Sequence, residues 1–217
     1  MKISTNTVNI LKNFSKINPS IVVQEGNVLK TISPSKTIMA RATVDTTFEK
    51  RFAIYDLNKL ISALDLIDDP EVKIEDKTIL IFSGNEKAQL ALSDESNIVK
   101  APDKEIALPS IDASFMLTNE HLKYVERAAG AFGLPEIVIL GDGKNIFLQT
   151  EDSKNPSGNI FSINIGDTDK AFKAIFKSEN IKIIPGDYNV TISSKGISHF
   201  LGKDVEYWIA VEQSSTF

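Results

Sequence analysis

Shifted by 111 residues against itself, the chain aligns Lys12 with Lys123, Lys16 with Arg127, Asp56 with Asp167 and Lys59 with Lys170. No other feature constrains the fold as much. A duplicated pattern in 217 residues calls for two similar domains of about 100 residues rather than one large one. The expected boundaries are 1–110 for the first domain, with an extended connector over about 97–110 marked by Pro102 and Pro109, and 111–217 for the second.

Both halves read as α+β, in the same order. In the first, Val8, Ile10, Leu11, Phe14 and Ile17 form an apolar stripe at spacings of three and four, predicting a helix over 5–17 that Pro19 ends. Short β-branched segments follow at 21–23, 28–32 and 37–44, then a strand at 52–55 that runs into Asp56 as N-cap of a second helix bearing Leu57, Leu60, Ile61 and Leu64. Three strands, around 72–74, 78–82 and 88–92, complete the half. In the second, Leu122, Val125, Ala128, Ala129 and Phe132 predict a helix, followed by a hairpin around 141–145. A strand at 161–165 leads to Asp167, and Phe172, Ile175 and Phe176 predict a fourth helix. Strands at 188–193, 197–200 and 205–211 close the chain. Each domain is thus expected to pack two helices on antiparallel sheet.

Charge is distributed unevenly over this frame. The formal net charge is −5, yet the four predicted helices carry Lys12, Lys16, Lys59, Lys123, Arg127, Lys170, Lys173 and Lys177 against Asp65, Glu120 and Glu126. A total charge does not describe its distribution, and a repeated basic face on an acidic protein suits a polyanion.

Catalytic chemistry has little support. There is no cysteine, which removes disulfides, thiolate catalysis and Cys-based metal sites. Only His121 and His199 are present, with no Gly-x-Ser-x-Gly elbow for a hydrolase triad. Gly141-x-Gly143 falls in a hairpin turn rather than between strand and helix, unlike a phosphate loop. Asp167 and Asp169 could pair on a metal, making a small nuclease or transferase the enzymatic alternative, but at a helix start they are expected to cap it. No enzyme activity, cofactor or metal is therefore expected. The first residues lack an apolar signal region and no run approaches about 18 apolar residues, so a soluble intracellular protein without membrane contact is expected.

Particular segments add a resemblance. Ile10-Leu11-Lys12-Asn13-Phe14-Ser15-Lys16-Ile17-Asn18, Ala53-Ile54-Tyr55-Asp56-Leu57-Asn58, Lys100-Ala101-Pro102-Asp103-Lys104 and Pro185-Gly186-Asp187-Tyr188 resemble the sliding clamps of large tailed bacteriophages, the DNA polymerase processivity factors. The similarity extends over nearly the whole chain. It implies a DNA clamp fold like that of proliferating cell nuclear antigen and a homotrimeric ring that tethers polymerase to duplex DNA in the cytoplasm of the infected bacterial host. An ATP-dependent clamp loader and transcription factors join the implied partners. The eight helical cations become DNA-facing residues. A pocket by the connector, made from Val99, Pro102, Ile106 and Leu108 with Tyr207, Trp208 and Ile209, would take a hydrophobic partner tail. A ring-forming phage structural protein without a DNA role is the alternative.

Helix spacing is consistent with a ring. At about 8–10 Å per helix, twelve helices give a circumference of roughly 110 Å and a hole of about 35 Å, against about 23 Å for eight helices from two protomers. Only the first leaves room for solvent around a duplex about 20 Å across.

Overall fold

The computed structural model describes residues 1–155 and 157–217, which divide into two compact units, Met1–Lys104 and Glu105–Phe217. In the first unit, helix α1 (Thr5–Ile17) is followed by β1 (Ile21–Val23), β2 (Gly26–Ile32), β3 (Ile38–Phe48) and β4 (Phe52–Ile54). Helix α2 (Leu57–Leu66) and the antiparallel strands β5 (Glu71–Ile74), β6 (Thr78–Ser83) and β7 (Glu86–Ala91) complete it. Strand β1 pairs with β4 and β2 with β3, all antiparallel.

Local chemistry explains each boundary. The Ser4 side chain accepts from the Thr7 amide to start α1, and Asp56 does the same for α2 through the Lys59 amide. Ile10, Leu11, Phe14 and Ile17 turn inward onto the sheet, with Phe14 fully buried. β3 alternates strictly from Ala42 to Phe48, Val44 and Thr46 inward, Thr43, Asp45 and Thr47 outward. Each fully buried Leu or Phe contributes about 1.5–3 kcal/mol, so these stripes carry much of the unit's stability.

The second unit runs β8 (Ala113–Leu117), α3 (Asn119–Phe132), β9 (Glu136–Asp142), β10 (Asn145–Glu151), β11 (Phe161–Asp167), β12 (Ala171–Lys177), β13 (Tyr188–Ser193), β14 (Ile197–Leu201) and β15 (Val205–Ala210). Its strands form one array in the order β11-β10-β9-β12 and another in the order β15-β14-β13-β8. Helix α3 packs against β9, β10 and β11. It starts on a capping box, in which Thr118 accepts from the His121 amide while His121 Nδ1 accepts from the Thr118 amide. Gly133, at φ 65°, ends it in the left-handed region.

Two expectations are corrected here. There is no fourth helix: residues 171–177 are strand β12, paired along its length with β9, so the described residues contain three α-helices. Phe172, Ile175 and Phe176 fit a helical stripe, but Phe172, Ala174 and Phe176 also alternate, and all three are buried in the strand. Seven residues rich in aromatic and β-branched side chains favour the pleat. Asp167 consequently caps nothing; it ends β11, and residues 168–170 cross the β9–β10 turn, fixed by Thr168 N to Lys144 O at 3.0 Å and Gly143 N to Lys170 O at 3.1 Å.

The second correction concerns register. Element starts put α3 114 residues after α1 (Thr5 to Asn119), and β12 119 after β4 (Phe52 to Ala171). The same spacing of 119 separates β7 from β15 (Glu86 to Val205). The duplication is real in topology, but 111 is not its period, and Asp56/Asp167 and Lys59/Lys170 are not structural counterparts. After β12 the chain has a single 3-10 turn, Ser178–Asn180, where the first unit has α2.

Candidate nucleic-acid interface

Five of the eight predicted cations lie on helices. On α1, Lys12 and Lys16 are four residues apart, as are Lys123 and Arg127 on α3, a spacing that puts each pair on one helix face. Measured from the N-caps, the α3 pair sits three residues earlier than the α1 pair, so the two faces match to within one turn. Lys12 is held by Asp65 of α2 at 2.9 Å, and Lys59 lies 3.6 Å from Asp56. Among the described residues Lys16, Lys123 and Arg127 have no ion-pair partner, and all three are exposed. These pairs are solvent-exposed and hold the lysines only weakly.

The other three predicted cations are elsewhere. Lys170 lies in the crossing segment and donates to the Asp112 carbonyl at 2.9 Å. Lys173 and Lys177 project from β12, to Glu151 at 2.6 Å and Glu212 at 3.9 Å. With no helix beneath them, the reason for grouping them with the others is gone. The segment 178–187, which follows β12 in place of a second helix, carries one further cation, Lys182.

The tail-pocket candidates also divide. Val99 is 43% exposed, Pro102 is exposed, and Ile106 and Leu108 are half-buried. Tyr207 and Ile209 are instead fully buried core residues, and Trp208 is only 8% exposed. They alternate across β15, so Tyr207 and Ile209 share the core face. The Tyr207 hydroxyl accepts from the Ile184 amide at 3.1 Å, and burial pushes its pKa up. Tyr188 beside it is pushed up to about 12, again by burial. Trp208 faces the other way, stacked on His199 at 4.7 Å between ring centroids, while His199 Nε2 meets Glu206 at 2.8 Å. Tyr207 and Ile209 are therefore removed from the pocket set.

Both histidines thus have structural roles, one in a helix cap and one in a stacked pair. Among the described residues no group of acidic or histidine side chains could hold a metal ion, and no helix is long and apolar enough to cross a membrane.

Two β–α units with basic helices over antiparallel sheets define the DNA clamp architecture. The structure of A. fulgidus PCNA, solved with the C-terminal region of FEN-1 bound, superposes with a TM-score of 0.69 at 14% identity, covering 94% of each chain. Residues 3–101 match the DNA polymerase processivity factor family and residues 114–213 the C-terminal domain of the gp45 sliding clamp family. The chain is 34% identical to the sliding clamp of Vibrio phage KVP40 over 98% of its length and 99% of that protein. It is 32% identical to that of Enterobacteria phage T4, covering 100% and 99% respectively. The chain belongs to the phage sliding-clamp family of DNA polymerase processivity factors.

Proposed function

We propose that the protein closes into a homotrimeric ring around duplex DNA and holds the replicative polymerase there, in the cytoplasm of an infected bacterium. The observation that carries this reading is the pair of matched basic helix faces, Lys12 and Lys16 on α1 and Lys123 and Arg127 on α3, on a chain of net charge −5. Mobile, mostly unpaired cations attract phosphates without fixing a register, which suits sliding.

Two sheet ends supply the means of closure. β7 pairs only with β6 and β11 only with β10 among the described residues, so each has an open edge. Beside them lie exposed apolar groups: Leu66 of α2 at 76%, and Phe132 and Tyr124 of α3 at 50% and 45%. Joining β7 of one copy to β11 of the next is a heterologous contact, and such contacts close rings when the rotation allows.

The lining changes from the twelve-helix picture. Nine helices at about 9 Å each span roughly 80 Å, a hole of only about 26 Å, so three copies of residues 178–187 complete the wall and widen it. Lys182 then joins Lys12, Lys16, Lys59, Lys123 and Arg127 as a DNA-facing candidate. Polymerase docks by a hydrophobic tail along the connector, near Val99, Pro102, Ile106 and Leu108, and the buried Trp208 is left out of the contact set. An ATP-dependent loader opens the ring, transcription factors share the docking region, and the clamp itself performs no chemistry. Native mass measurement tests the assembly: the expected species is three times 23.9 kDa, and a monomer at micromolar concentration contradicts it.

A further inference from the structure

Beside the connector, the first unit holds a small, partly open cavity of about 50 Å³. Three cationic residues line it, Lys30, Arg51 and Lys100, together with Asp103 and Val99. We propose that this cavity is a carboxylate-binding subsite that receives an acidic group of a partner's docking tail. The inference rests on the tail-docking reading above.

Arg51 is positioned before any ligand arrives, while Lys30 and Lys100 are tethered more loosely. Arg51 Nε and Nη2 each donate to Glu95 at 2.6 Å, and Nη1 donates to Gln24 at 2.7 Å. A guanidinium has five N–H groups, so one remains on each Nη. Lys30 Nζ donates to the Asp103 carbonyl at 3.1 Å and Lys100 Nζ to Glu95 at 3.4 Å, leaving two N–H groups on each ammonium. Glu95 is consumed by Arg51 and Lys100. Counting the Asp103 carboxylate as well, three positive charges face two negative ones.

The size of the cavity is the second indication. A water needs about 10–15 Å³ by this volume measure, so the cavity has space for roughly the two oxygens and carbon of one carboxylate. Ile21, Val22 and Val99 supply an apolar flank for the carbon beside it. Val99, Lys100 and Asp103 belong to the connector, where the docking tail is expected, so an acid on that tail has a short path in.

The test compares forms of the cognate polymerase's C-terminal peptide by calorimetry on the intact clamp. One form is the free acid, a second is amidated at the terminus, and a third has its Asp and Glu side chains replaced by Asn and Gln. The expected result is a loss of at least about tenfold in affinity for one altered form, which identifies the carboxylate's source. Lys30→Gln with Lys100→Gln should erase that difference while leaving the affinity of the weakened form unchanged. Equal affinity of all three forms overturns the subsite and leaves tail docking standing. Failure of every form to bind overturns the docking reading itself.

Discussion

Gly141→Ala tests the crossing that replaces the expected fourth helix. A Cβ at position 141 would lie 2.5 Å from Phe172 Cε1 and 2.7 Å from the Lys170 carbonyl oxygen. Neither neighbour yields easily: Phe172 is 5% exposed, and the Lys170 carbonyl accepts from Gly143 across the turn. Overpacking of this kind costs about 1–3 kcal/mol. With about 2.1 cal/mol/K per residue, a loss of 2 kcal/mol lowers Tm by about 8 °C if a unit of about 110 residues melts alone, or about 4 °C if the chain melts as one. Calorimetry of the variant reads this directly. Combining it with Phe172→Ala should give a loss smaller than the sum of the two, because the aromatic clash disappears and the carbonyl contact remains. An unchanged Tm for Gly141→Ala would refute the close approach of β9 to the crossing segment and reopen the helical reading of 171–177.

Charge reversal at Lys16, Lys123 and Arg127 should cut clamp-dependent DNA synthesis by an order of magnitude or more while leaving the ring mass unchanged; Lys177→Glu on β12 should leave synthesis intact. Equal loss from both would return β12 to the lining. The Arg51 hydrogen bonds hold Glu95 below its usual value of 4.5. Because that pKa is depressed on folding, the stabilisation is present above about 4.5 and is lost as pH falls through the lower folded value. Carboxyl-carbon NMR should show Glu95 titrating at lower pH in the parent chain than in Arg51→Gln, where only Lys100 still lowers it; coincident titrations would contradict the pairing. Tyr207→Phe, which leaves the Ile184 amide without its acceptor, should lower stability by about 1–3 kcal/mol in denaturant melts; an unchanged midpoint would contradict its role in the core.

Much of the architecture was legible because period and cap agreed. For α1, the stripe from Ile10 to Ile17 and Pro19 lead to the observed bounds, and Asp56 caps α2 as its side chain suggests. The 167–177 segment failed because Phe172, Ile175 and Phe176 fit the helical period while Phe172, Ala174 and Phe176 fit the strand period, and only pairing with β9 decides between them. The alternation of Ala174 with its aromatic neighbours was the available signal. Tyr207 and Ile209 could not be sorted from Trp208 by composition, since all three are large and apolar; the pleat of β15 separates them. The Arg51–Glu95 pair, 44 residues apart, has no local signature at all.

Retention on DNA of different topology tests the central claim most directly. Labelled clamp loaded onto nicked circular duplex should stay bound through a high-salt wash, because a closed ring needs no tight contact to remain. Linearising that DNA should release it within the time needed to slide off an end, and blocking both ends should restore retention. Loss from the intact circle in salt, or equal retention on open linear DNA, would contradict encirclement.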